Sequence, residues 1–108
     1  MRVLHQPRVA WNAARVFVGS VRDDDLYGWL SAEVGDLLGV SCQADLDQTR
    51  ERLRGAVDPQ SGLLEVGRWR VRLEDELRRR PALAEPLESL SEIAAGLLRR
   101  RAGPASRS

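Results

Sequence analysis

Apolar residues recur at steps of three and four along most of this chain, the spacing of one face of an α-helix. The clearest run is Leu26, Trp29, Leu30, Val34, Leu37 and Leu38. Asp23, Asp24 and Asp25 precede it. They offer an N-cap acceptor and place negative charge at the positive end of the helix dipole. Gly39 follows, where a left-handed C-terminal residue is expected. A second run, over roughly 81–101, repeats Leu83, Leu87, Leu90, Ala94 and Leu97, with Ile93 and Leu98 widening the stripe. Its acids (Glu85, Glu88, Glu92) come early and Arg99, Arg100 and Arg101 come late, again as the dipole prefers. Pro86 would kink a helix begun at Pro81, and is tolerated if the helix restarts at Pro86.

Two segments are less regular. Between about 45 and 55 the apolar face is thin, with Leu46, Leu53, Ala56 and Val57, and Ser41 or Asp45 as the cap. Residues 68–73 alternate as a strand would, and Leu63 to Gly67 supplies a hairpin partner. The same stretch also reads as a helix. Val66, Trp69, Leu73 and Leu77 share a helical face, and Glu74, Asp75 and Glu76 each have an arginine four residues on. The balance predicts a helix from about Glu65 to Arg79, with a 63–73 hairpin as the alternative. Turns are expected at Gly19-Ser20, Gly39-Val40-Ser41, Asp58 to Gly62 and Pro81. The expected fold is all-α: a compact bundle of four to five helices forming one domain over 1–102, with a flexible tail at 103–108. Its expected core is Trp29, Leu30, Val34, Leu37, Leu38, Leu53, Trp69, Leu73, Leu77, Leu87, Leu90 and Leu97.

Composition narrows the function. A chain of 108 residues suits one domain with a modest core. At 43% hydrophobic and 31% charged it is neither a disordered tail nor a membrane protein. No apolar run approaches the roughly 20 residues of a membrane span. All 17 basic residues are arginine, a bias that a GC-rich genome accounts for. The net charge of +1 makes no whole-chain case for nucleic acid or an anionic membrane. Charge is nevertheless blocked: +4 over 1–22, −7 over 23–47, +3 over 48–80, −3 over 81–98 and +4 over 99–108. Helix starts that collect acids and helix ends that collect arginines explain most of this. Docking surfaces of opposite sign are the other reading.

Catalytic chemistry lacks its parts. His5 is the only histidine and Cys42 the only cysteine, so no internal disulfide forms, which fits a reducing cytoplasm. Cys42 has no sequence-near partner for a Cys–His dyad. Cys/His metal spacing and a phosphate-cradling glycine loop are both absent, and Asp23 to Asp25 reads as a helix start rather than a cation site. No enzyme, cofactor or metal is expected. The sharpest motif is Val34 to Ser41, which looks like the first helix and turn of a DNA-binding helix-turn-helix, followed by a second helix over 45–55. On that alternative, residues 34–55 form a small DNA-binding regulator with Arg50 and Arg54 as contacts. Asp45 and Gln48 stand where apolar anchors belong, and Asp45, Asp47 and Glu51 would face phosphates. Nucleic acid is therefore not the expected partner. Any weak binding at low salt would rest on Arg2, Arg8, Arg99, Arg100 and Arg101.

One resemblance covers more of the chain. From Trp69 a helix runs through Leu73 and Leu77 to Arg80-Pro81, then a Leu-rich helix follows from Leu83 and Leu87. With Leu26-Tyr27-Gly28-Trp29-Leu30 upstream, residues 24–100 resemble small all-helical, mostly unassigned domains of high-GC bacterial signalling and defence proteins. The resemblance implies an interaction module and no catalytic residue. The expected function is thus a non-catalytic, cytoplasmic helical adaptor that binds a protein partner. Self-association, as a homodimer, is expected through the C-terminal stripe of Leu83, Leu87, Leu90, Ile93, Leu97 and Leu98, which has coiled-coil spacing.

Overall fold

Five α-helices account for nearly all of residues 5–102, the part of the chain that the computed structural model describes: α1 (Gln6–Ser20), α2 (Asp24–Leu38), α3 (Val40–Arg54), α4 (Ser61–Arg79) and α5 (Ala84–Ala102). A 3-10 turn, Pro81–Leu83, links α4 to α5. No strand occurs among the described residues, so 63–73 is helix and not hairpin. The fold is a single all-α domain, as its periodicity predicts. The 103–108 tail and Arg2 lie outside the described residues.

Local chemistry sets the boundaries. The Asp23 side chain accepts from the backbone N–H groups of Asp25 (3.0 Å) and Leu26 (3.1 Å), capping α2 as expected. Gly39 closes α2 and opens α3 by itself: α3 begins at Val40, so neither Ser41 nor Asp45 is its cap. Arg80 leaves the helical region (φ −138°, ψ 78°), because the residue before a proline is pushed out of it. Then α5 starts at Ala84, neither at Pro81 nor at Pro86. Pro86 is the third residue of its first turn, where a backbone N–H has no intrahelical acceptor to lose.

At the centre lies α1, packed on α4 along one side and α5 along the other, while α2 pairs with α3 and touches α5. The inner face of α1 is Val9, Ala10, Ala13, Ala14, Phe17 and Val18, all buried. Its alanines let the neighbouring helices approach closely, and Phe17 fills the middle. The expected core holds for Leu30, Val34, Leu38, Trp69, Leu73, Leu77, Leu87 and Leu90. Trp29, Leu37 and Leu53 are instead half-buried against its edge, and Leu97 is half-buried. Cys42, Leu46 and Thr49 form the buried face of α3, whereas Ala56 lies exposed and Val57 is 97% exposed beyond the helix end. Ser20 Oγ, buried at the end of α1, has no hydrogen-bond partner among the described residues, and nothing in the structure explains it.

Candidate functional site

Two surfaces carry enough chemistry to be considered. The first is the seam between α3 and α4, which is polar where a bundle is usually apolar. Glu65, Glu76 and Thr49 are buried there, beside Cys42. Each buried acid has arginine partners, as burial of charge requires. Arg52 donates to Glu65 through Nε (2.7 Å) and a terminal nitrogen (2.8 Å). Glu76 accepts from Arg79 (2.5 Å) and Arg80 (2.8 Å). The Trp69 indole N–H donates to Thr49 Oγ1 at 2.8 Å, and that hydroxyl donates to the Asp45 carbonyl at 3.0 Å. Arg72 bridges the helices: it pairs with Asp45, donates to Ser41 Oγ at 2.9 Å, and reaches Cys42 Sγ at 3.3 Å.

This seam holds the helices together and shows no reactive group. Cys42 is fully buried, and burial pushes its thiol above the ordinary value despite the Arg72 contact, so the thiolate is disfavoured. His5 caps the exposed start of α1 without a side-chain hydrogen bond. Among the described residues no group of three His, Cys, Asp or Glu side chains is placed to hold a metal ion. The cavity over the seam, about 700 Å³, is lined by Arg52, Arg68, Arg72 and Arg79 together with Asp45 and Asp75. Three of those arginines are already paired with seam carboxylates, which leaves little surplus positive charge for an anion.

The seam does make the fold acid-sensitive. The Arg52 guanidinium holds the Glu65 carboxyl below its ordinary value, against the opposing effect of burial. A carboxyl depressed on folding stabilises the protein above its unfolded value, about 4.3 for a glutamate, and that contribution disappears as pH falls through the folded value. Glu65→Gln is therefore expected to lower stability at pH 7 and to flatten the loss of stability below about pH 4.5. Urea midpoints measured from pH 7 down to pH 3 check this; parallel curves for the two proteins would contradict it.

The second surface is a groove between α2 and α5. These helices run antiparallel, since Arg101 near the end of α5 binds Asp23 (3.2 Å) and Asp25 (2.9 Å) at the start of α2. Trp29, Leu37, Leu90 and Ile93 form its floor and one wall, and Pro86 closes its far end. Glu33 and Asp36 form the rim, both exposed and without an ion pair among the described residues. No basic residue lines the groove. Ile93 is 55% exposed, a large apolar side chain that the fold leaves outside.

The sequence-predicted interface divides across this geometry. Leu87 and Leu90 belong to the core, 0% and 6% exposed, and Leu83 packs on the core edge. Leu97 and Leu98 are half-buried, with Leu98 turned toward Gly19 of α1. The continuous stripe is thus mostly spent inside the chain, because α5 closes the bundle against both α1 and α2. Ile93 alone among the six is exposed. Reasoning from spacing missed Trp29 and Leu37 as groove residues. Their signal was available: they stand one position off the fully buried Leu30 and Leu38, at the margin of the apolar arc.

The alternative DNA-contact residues fare differently. Arg50 is folded back on its own domain, its guanidinium 4.2 Å from the Tyr27 ring centroid and paired with Asp24, and its side chain is only 15% exposed. Arg54 remains exposed and pairs with Glu51. A helix-turn-helix needs a turn of about three or four residues between its helices, whereas Gly39 alone separates α2 from α3. The 34–55 segment is a tight helical corner. Comparisons with protein-family models, curated proteins and solved structures find no match to this chain.

Proposed function

We propose that this chain is a non-catalytic protein-interaction module that docks a partner in the α2/α5 groove. The observation that carries the reading is the groove itself: an apolar floor with an exposed Ile93, rimmed by Glu33 and Asp36, which no ion pair among the described residues neutralises. Apolar contact supplies affinity at such a site, and uncompensated rim charge selects partners of opposite sign. The resemblance of residues 24–100 to small bacterial helical modules points the same way. So does the single cysteine, held buried and unreactive, which suits a cytoplasmic protein. No helix among the described residues is long and apolar enough to cross a membrane.

A photo-crosslinking amino acid placed at Ile93 tests this in the native cell. Irradiation is expected to give one discrete protein adduct, and the same probe at exposed Val57, far along the chain from the groove, should give none. A smear, or equal adducts from both positions, would overturn the reading.

A further inference from the structure

We infer that the groove receives a second copy of this chain, which inserts the exposed Leu64–Val71 side of its α4. This rests on the docking reading above and goes further by naming the occupant. One side of α4, which borders the cavity over the α3/α4 seam, carries a further pair of exposed apolar side chains. Leu64 is 64% exposed and Val71 is 51% exposed, seven residues apart and so on one side of the helix. Between them Arg68 is exposed and makes no hydrogen bond or ion pair among the described residues; its charge acts at longer range on buried Glu65, which Arg52 already pairs. The next charges on that side, Asp75 and Arg78, neutralise each other. The face is therefore apolar, basic, apolar, with one surplus positive charge in its middle.

The groove is its complement in both length and sign. Leu64 and Val71 are two turns apart, roughly 10 Å along the helix axis. Pro86 and Ile93, which bound the groove along α5, have the same separation in sequence and hence the same length. Glu33 and Asp36 stand one turn apart on the opposite wall, so a helix laid with Leu64 and Val71 over the two ends carries Arg68 between the two carboxylates. In a single copy the two surfaces belong to different helices, and α4 makes no substantial contact with α2 or α5. One chain cannot close the contact on itself.

The association is consequently head-to-tail. Each contact uses the groove of one copy and the α4 face of another, which leaves one of each free at the ends of any assembly. Such heterologous contacts build rings or open chains rather than a symmetric dimer.

Complementation between two blocked variants tests the geometry. Val71→Asp disables the α4 face and Ile93→Asp disables the groove; both positions are exposed, so both proteins are expected to retain the wild-type circular dichroism. Light scattering should give a wild-type mass that rises with concentration and falls back with added salt. Each variant alone should stay monomeric, and an equimolar mixture should rise toward, and stop at, twice the chain mass. If an apolar variant loses its helix signal, Arg68→Glu replaces Val71→Asp, or Glu33→Arg replaces Ile93→Asp, but not both at once, because the two charge reversals would complement each other. A monomeric wild type at sub-millimolar concentration overturns the proposal, as does a mixture that fails to associate or a single variant that still does. The Ile93 crosslink separates the two readings. An adduct to a different protein, with a monomeric wild type, removes only the second copy, whereas no adduct at all removes the docking site too.

Discussion

Trp69→Ala is expected to remove about 3–5 kcal/mol of folding stability, the largest loss of any single substitution considered for this chain. Trp69 is 3% exposed, so truncation empties a large volume at the junction of α1, α3 and α4. Its ring meets Phe17 edge-on, with centroids 5.4 Å apart and planes at 78°, an arrangement worth about 0.5–1.5 kcal/mol beyond the buried area. Truncation also withdraws the indole N–H from Thr49 Oγ1. Trp69→Phe separates these contributions. It keeps an aromatic ring against Phe17 and loses the hydrogen bond, for which about 1 kcal/mol is expected. The Thr49 hydroxyl would still donate to the Asp45 carbonyl, so it is not stranded. Urea titrations followed by circular dichroism give both values. A cost for Trp69→Ala below about 1 kcal/mol would mean that the side chain is not in the core.

Gly39→Ala is the second large effect, and it comes from the backbone alone. Gly39 has φ 99° and ψ 170°, the one positive φ among the described residues, in a region essentially closed to residues with a side chain. A Cβ built there meets nothing within 4 Å, so no clash with a neighbour contributes. The expected cost is about 1–3 kcal/mol of conformational strain. Gly55, which ends α3 at φ −89° and ψ −1°, is the internal control. There alanine fits the helical region, and Gly55→Ala is expected to be neutral or to stabilise by up to about 1 kcal/mol. Equal destabilisation by the two substitutions would contradict the account. The strain matters because this one residue sets the α2–α3 corner. Gln43, one turn into α3, reaches back to donate to the Ser31 carbonyl at 3.0 Å, and its side chain fills the space that a Cβ on Gly35 would occupy.

Much of this architecture follows from local sequence. The apolar spacing of 26–38, the Asp23 cap and Gly39 define α2 without any tertiary contact, and the acid-first, arginine-last order of 85–101 favours α5 by matching its dipole. Helix also prevailed over hairpin at 63–73 for a reason present in the sequence. Val66, Trp69, Leu73 and Leu77 bury together only on a helical face, whereas a strand would place Trp69 and Leu73 on one side and leave Val66 on the other. Of the three arginine pairs that favoured helix, one forms at the expected spacing and two exchange partners. Glu76 pairs with Arg80 four residues on, but Asp75 takes Arg78 and Glu74 takes Arg70. Side chains three and four apart are equivalent neighbours on a helix, so sequence fixes the set of pairs and packing selects among them.

What the sequence by itself determined is the helix content, most helix ends and the apolar face of each strong helix, because these depend on contacts within a few residues. Only the tertiary structure decided which faces are shared. The alanine-rich α1 became the central helix because small side chains permit close approach from two sides, a property invisible until α4 and α5 are in place. Buried Glu65 became possible because Arg52 reaches it across the assembled seam, whereas Glu76 is paired from its own helix by Arg79 and Arg80. The stripe of α5 is uniform as a sequence, yet folding consumes Leu87 and Leu90 and leaves Ile93 beside Trp29 and Leu37. Exposure is a property of the whole bundle: a periodic pattern says that a face is apolar, and only the neighbouring helices determine how much of it water still reaches.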